Sequence, residues 1–164
     1  MEFIDLKAQY QTLKTEIDTN IQSVLSSAQF IGGPYVAELE EQLAAFVGRK
    51  HCLTCANGTD ALQLAFMAAG VGRGDAVFCP DMTFISSTEP AKMSGAVSVF
   101  CDITPDTYCL DPAGLERQIR AVLEEGTYTP KAVVAVDILG NPCDYDAISP
   151  ICEKYGLTLI EDAA

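Results

Sequence analysis

"KAVVAVDILGNPCDYDAISPICEKYGLTLIEDAA", residues 131–164, contains two short apolar runs, Ala132–Val136 and Leu157–Ile160, the second carried as an expected strand to Glu161. Between them Tyr145 to about Tyr155 reads as a helix, stopped at Gly156. Both runs are apolar throughout instead of alternating, as strands are when both faces of a parallel sheet are covered. Strand, helix, strand in this order is the crossover unit of such a sheet. Working outward, the same rhythm extends back through the chain. Further strands are expected at His51–Cys55, Ala76–Cys79 and Ala96–Cys101, with helices between most of them. Asp111 followed by Pro112 supplies a cap and a first-turn residue for a helix running to about Glu124. The fold class is therefore α/β.

The amino-terminal part follows a different rhythm. Leu6, Tyr10, Leu13, Ile17, Ile21, Val24 and Ala28 recur at steps of three and four, the mark of an amphipathic helix over about 7–28. "FIGGP" breaks it, and a second helix carries Val36, Leu39, Leu43, Phe46 and Val47 to a stop at Gly48. The expected division is a helical segment, 1–48, and an α/β part, 49–164, with no linker or repeat between them.

Composition excludes several classes. The chain has 164 residues, 49% of them apolar, and a formal charge of −13. That charge and the lack of a basic stripe argue against nucleic acid, whose phosphates are met by Lys and Arg. The first residues lack the basic start and apolar run of a signal peptide, and no stretch is long enough to span a bilayer, so the expected compartment is the cytoplasm. Seven cysteines, an odd number, do not form the framework of a small secreted protein. Cys52 and Cys55 make a C-x-x-C, but no second pair follows, His51 is the one histidine, and the pair sits on an expected strand. Core packing is the preferred reading, and no metal site is expected.

In open parallel sheets ligands collect beyond the carboxyl ends of the strands. Three places there draw attention. After His51–Cys55 comes "ANGTDAL", in which Asn57 and Gly58 turn the chain and Thr59 starts a helix. Free N–H groups at such a start favour a phosphate, though the same residues also serve as an ordinary turn and cap. After Ala76–Cys79 comes "PDMTFISSTEP", where Phe84 is either a plate for a planar ligand or a core residue. At the end of the last strand Asp162 needs a partner, because a carboxylate is costly to desolvate alone. An Arg, a helix start or a protonated ring nitrogen would each serve. A phosphate cradle, an aromatic plate and an acid on one edge together describe a pocket for pyridoxal 5′-phosphate, whose pyridine nitrogen the acid keeps protonated. They do not describe a nicotinamide or Walker site, for which the glycine and lysine patterns are missing.

"FIDLKAQY", "FIGGPYVAELEEQLAAFVG", "CANGTDALQLAFMAAGVGRGD", "PDMTFISSTE", "VDILGNPCDYDAI" and "LIEDAA" together resemble the DegT/DnrJ/EryC1/StrS family of sugar-nucleotide aminotransferases over essentially the whole chain. The resemblance implies the large domain of a fold-type I aminotransferase, truncated, and a homodimer with sites at the subunit interface. It implies that Gly58 and Thr59 hold the cofactor phosphate with Asp60 beside them, that Phe84 stacks on the ring, and that Asp162 pairs with the pyridine nitrogen. Asp60 reads equally well as a helix-start acid meeting backbone donors. The implied activity is transfer of an amino group, from an amino acid such as glutamate, to a keto sugar nucleotide. The resemblance is strongest to members acting on 3-keto UDP-N-acetylglucosaminuronate for surface polysaccharide synthesis.

In the family the cofactor-bearing lysine lies beyond the position of Ala164. None of Lys7, Lys14, Lys50, Lys92, Lys131 and Lys154 stands at a matching place. The expectation is an amino-terminal part of such an enzyme, inactive alone. A non-catalytic binding or dimerisation module and a different fold-type I enzyme, such as a desulfurase or a lyase, remain as alternatives.

Overall fold

The structure, a computed structural model, describes residues 3–164. They form two compact units, one ending at Thr54 and one running from Cys55 to Ala164.

The first unit holds α1, Leu6–Ser27, and α2, Pro34–Phe46. Asp5 caps α1 by accepting the Ala8 N–H at 2.9 Å. The break between the helices comes from Gly32 and Gly33, whose φ values of 64° and 97° are costly for any residue with a Cβ. Both helices have the expected apolar period, but α1 has no buried residue and α2 only Ala44. After α2 the chain is tied back to it where Glu40 accepts the Thr54 N–H and hydroxyl at 2.8 and 2.9 Å. Those two bonds hold the Glu40 carboxyl below its ordinary range.

Residues 51–55 are not the strand their sequence suggests. They are irregular, Leu53 is 85% exposed, and no strand among the described residues pairs with them. A strand satisfies its N–H and C=O groups through a neighbour, so β-forming residues without a ladder partner remain loop. The C-x-x-C therefore straddles irregular chain, with Cys55 exposed.

The second unit is built on four parallel strands: β1 Asp75–Pro80, β2 Val97–Cys101, β3 Thr129–Val136 and β4 Thr158–Asp162. Their order across the sheet is β2-β1-β3-β4. Four helices cover it: α3 Gly58–Ala68, α4 Glu89–Met93, α5 Pro112–Glu125 and α6 Tyr145–Tyr155. One face packs Val77, Cys79 and Val134 against Leu62 and Phe66 of α3 and Ala91 of α4. The other packs Phe78 and Val133 against Leu115 and Ile119 of α5 and Ile148 of α6. β1 and β3 are covered on both sides, whereas β2 and β4, at the edges, are only partly buried. Each fully buried side chain of this kind contributes about 1.5–3 kcal/mol.

The helix ends agree with their sequence signals. Asp111 accepts the Ala113 and Gly114 N–H groups at 3.0 and 2.9 Å ahead of α5, and Gly156 closes α6 at φ 67°. Cys79, Cys101 and Cys152 are buried, and burial pushes the first two thiols up to about 12 and the third to about 11. Protonated at neutral pH, they serve as small apolar fillers. No described helix is long and apolar enough to cross a membrane.

Candidate functional site

The connection out of β1 leads toward one edge of the sheet and the connection out of β3 toward the other. Loops therefore diverge from the carboxyl ends of β1 and β3, the place where open parallel sheets form their crevice.

At the start of α3, Asn57 is the cap, in extended conformation at φ −167°. Its side-chain oxygen accepts the Asp60 N–H at 2.9 Å, and its amide nitrogen donates to Asp60 Oδ2 at 3.2 Å. Asp60 is thus engaged by the cap. Gly58 is the first helical residue and not half of a tight turn; its φ is not positive, and a Cβ there would meet nothing within 4 Å. The Gly58 and Thr59 N–H groups, two residues and one residue ahead of the capped Asp60 N–H, meet no acceptor among the described residues. Thr59 itself is half-buried.

Phe84 follows β1 and is 73% exposed, so it is not a core residue. It immediately precedes a single 3₁₀ turn, Ile85–Ser87, whose last N–H donates to the Phe84 carbonyl at 3.1 Å. This turn packs against α3.

Asp162 is the last residue of β4, paired in register with Val136 of β3. The Asp137 N–H donates to the Asp162 carbonyl at 3.0 Å, fixing its backbone. By strand alternation its side chain shares a face with Ile160, which packs on the α3 and α4 side, while Glu161 points to the other. Its partner is neither an Arg nor a helix start. The Ser87 hydroxyl donates to Oδ2 at 2.8 Å, and Thr83 lies 2.8 Å behind Ser87. Oδ1 accepts no hydrogen bond from a described residue.

A cleft of about 250 Å³ lies between the first turns of α3 and the end of β4, lined by Gly58, Ala61 and Leu62 on one side and Ile160 and Asp162 on the other. Gly58 and Asp162 thus share one cleft. Thr59 lies next to it in the same helical turn, and Phe84 is joined to it through the turn that ends in Ser87. Neither Thr59 nor Phe84 lines it directly. The donor set suits an anion at one end, where N–H groups and a hydroxyl start a helix. It suits a protonated nitrogen at the other, where a carboxylate oxygen is open.

Sequence reasoning passed over Ser87, although it stands in the quoted "PDMTFISSTEP". It also passed over Asp137, whose Oδ1 accepts the Cys143 N–H at 2.9 Å and the Tyr145 hydroxyl at 2.8 Å. Burial and then this bond push the Tyr145 phenol well above its usual range, so it stays a donor. The pair shapes the loop after β3.

A family model described as the DegT/DnrJ/EryC1/StrS aminotransferase family matches residues 11–164. The chain is 49% identical, over 164 residues, to the UDP-2-acetamido-2-deoxy-3-oxo-D-glucuronate aminotransferase of Pseudomonas aeruginosa, covering 100% of this chain and 44% of that protein. Among solved structures it is similar to a DegT DnrJ EryC1 StrS aminotransferase from Brucella abortus, at TM-score 0.98 and 43% identity, covering 100% of this chain and 44% of that one. It is also similar to S. venezuelae DesV in complex with ketimine intermediate, at TM-score 0.92 and 36% identity, covering 99% and 42%. The chain spans less than half the length of these relatives.

Proposed function

The chain belongs to the DegT/DnrJ/EryC1/StrS aminotransferase family, and from that premise we propose that it carries half of the cofactor site of an enzyme that moves an amino group from an amino acid, glutamate, to the keto group of a sugar nucleotide. Enzymes of this family depend on pyridoxal 5′-phosphate. Residues 1–164 are read as part of one cofactor-binding domain, with 1–48 its helical segment and 49–164 its α/β part.

The observation that carries the reading is the Asp162 carboxylate, with one oxygen held by Ser87 and the other open beside the cleft that Gly58 lines. In this reading the Gly58 and Thr59 N–H groups and the Thr59 hydroxyl hold the phosphate. Asp60 fixes the shape of that helix start through Asn57. Phe84 covers one face of the ring, and Asp162 holds a proton on the ring nitrogen. Bound there, the cofactor supplies the electron sink that lets a carbon–hydrogen bond next to nitrogen be broken and remade. Asp162 is the catalytic residue of the set, because the charge it pairs with is what makes the ring an electron sink.

No lysine lines the cleft. Lys92 faces a separate groove with Ile85 and Phe100. The chain on its own is accordingly read as lacking transaminase turnover, and detectable amino transfer by it would overturn that part. The 49% identity to the Pseudomonas enzyme supports a 3-keto UDP-N-acetylglucosaminuronate as the acceptor. In this reading the enzyme is a cytoplasmic homodimer that serves surface polysaccharide synthesis.

The test is Asp162→Asn in the complete, cofactor-loaded enzyme of which this chain is read as part, followed by single-turnover kinetics with glutamate and with the keto sugar nucleotide. Losing a preorganised charge at the reacting centre should slow both half-reactions by at least ~100-fold. Unchanged rates would remove Asp162 from the reaction.

A further inference from the structure

An ionised carboxylate accepts hydrogen bonds and donates none, so the proton between Ser87 and Asp162 belongs to Ser87. A serine hydroxyl has a single proton, and here it is directed at Oδ2, 2.8 Å away. The 2.8 Å contact between Thr83 and Ser87 must then take its proton from Thr83. The direction of the chain is fixed: Thr83 to Ser87 to Asp162. Hydroxyls aligned this way polarise one another, and the last bond of the series, to a charged acceptor, is strengthened most.

Ser87 is 1% exposed, so water does not compete for its bond. It also closes the 3₁₀ turn that starts after Phe84, its own N–H donating to the Phe84 carbonyl at 3.1 Å. One turn of chain therefore carries both the aromatic residue and the hydroxyl that meets the acid. The backbone of Asp162 is already fixed by Asp137 and Val136 of the neighbouring strand connection. What is left is the carboxylate's own rotation, and Ser87 removes it.

We propose that Ser87, backed by Thr83, is a positioning residue for Asp162, holding Oδ2 so that the ionised Oδ1 faces the ring nitrogen of the bound cofactor. This rests on the role given to Asp162 above. Ser87 touches neither cofactor nor substrate in this account; it acts through the acid.

The experiment loads the complete enzyme of which this chain is read as part with pyridoxal 5′-phosphate carrying ¹⁵N in the ring and follows the ring-nitrogen resonance as pH is raised. Ser87→Ala should lower the pH at which the nitrogen loses its proton by about one unit, a roughly tenfold weaker hold. Ser87→Thr, which keeps the hydroxyl, should leave that midpoint where it is. Thr83→Val should shift it in the same direction by less. Alongside, Ser87→Ala should lower kcat while leaving the KM for the amino donor unchanged. Asp162→Asn serves as the reference and should shift the midpoint furthest. If Asp162→Asn shifts it and Ser87→Ala does not, the positioning role is overturned and the cofactor reading stands. If neither does, the cofactor reading falls and takes this role with it. A Ser87→Thr shift as large as that of Ser87→Ala would also overturn the role, since the hydroxyl would not be the cause. Should Ser87→Ala fail to fold, an unshifted midpoint in Thr83→Val overturns the proposal by itself.

Discussion

Helix α1 carries Leu13, Ile17, Ile21 and Val24 at steps of three and four, and helix α5 carries Leu115, Ile119 and Val122 in the same rhythm, yet their fates differ. No residue of α1 is buried, whereas Leu115 and Ile119 are fully enclosed and Val122 nearly so. The period of a sequence selects a helix; burial requires a second surface of the right shape. α5 meets that surface in β1, β2 and β3. α1 is held by local terms instead: the Asp5 cap, the Lys14–Asp18 ion pair one turn apart, and its length of 22 residues, enough for a marginal helix in water. Amphipathicity is thus evidence of a helix in both regions and of a core in only one.

The widest contrast should come from truncation. Phe78→Ala, at the middle of β1 and wholly buried, should cost about 3–5 kcal/mol in chemical denaturation. Ile21→Ala, at a position 54% exposed, should cost under about 0.5 kcal/mol. A comparable loss at the two sites would break the comparison, because α1 would then have to bury that side chain.

Capping residues sharpen it at smaller scale. Asp111→Ala removes the acceptor of two N–H groups ahead of a packed helix and should cost about 1 kcal/mol in the cooperative unfolding of the sheet. Asp5→Ala should lower the helical circular dichroism slightly and leave that transition in place. If the sheet's midpoint moved equally in both variants, the two regions would not differ in the way their burial says.

The smallest effect is electrostatic. Lys154, Arg120 and Tyr155 donate to Glu116 at 2.6, 2.8 and 2.9 Å and hold its carboxyl at about 2, below the ordinary value of 4.5. A carboxyl depressed in the folded state adds stability above its unfolded pKa and loses it as pH falls through the folded one. The stability gap between wild type and Glu116→Gln should therefore be full above pH 4.5 and close between about 4.5 and 2. The Lys154 and Arg120 partners are exposed and the gap small. Thermal unfolding at pH 7 and pH 2 measures it, and a gap that persists at pH 2 would assign the effect to packing.

Local signals in the sequence were read correctly wherever the physics was local. Asp111-Pro112 and Gly156 bound their helices because capping and left-handed backbone depend on the residues themselves. The apolar runs at β1 and β3 became strands covered on both faces because each found ladder partners on both sides. Residues 51–55 failed because a strand is a relation between two segments, and a run of β-formers names only one. At the site, the acid at the end of β4 and the helix start at Gly58 stood out by residue type and position. Ser87 did not: a serine among "ISST" has no period and no motif, and its meaning arises only when a distant strand end is brought beside it.

That distance has a consequence for how the molecule matures. Ser87 and Asp162 lie 75 positions apart, and the bond between them closes only after β1, β3 and β4 are aligned side by side. Closures over such spans come late, because their entropy must be met before the contact returns anything. A ligand that read the Asp162 carboxylate would therefore recognise β1, β3 and β4 only once they are aligned. It would act as an inspector of that alignment, drawing the population toward molecules that have it by mass action.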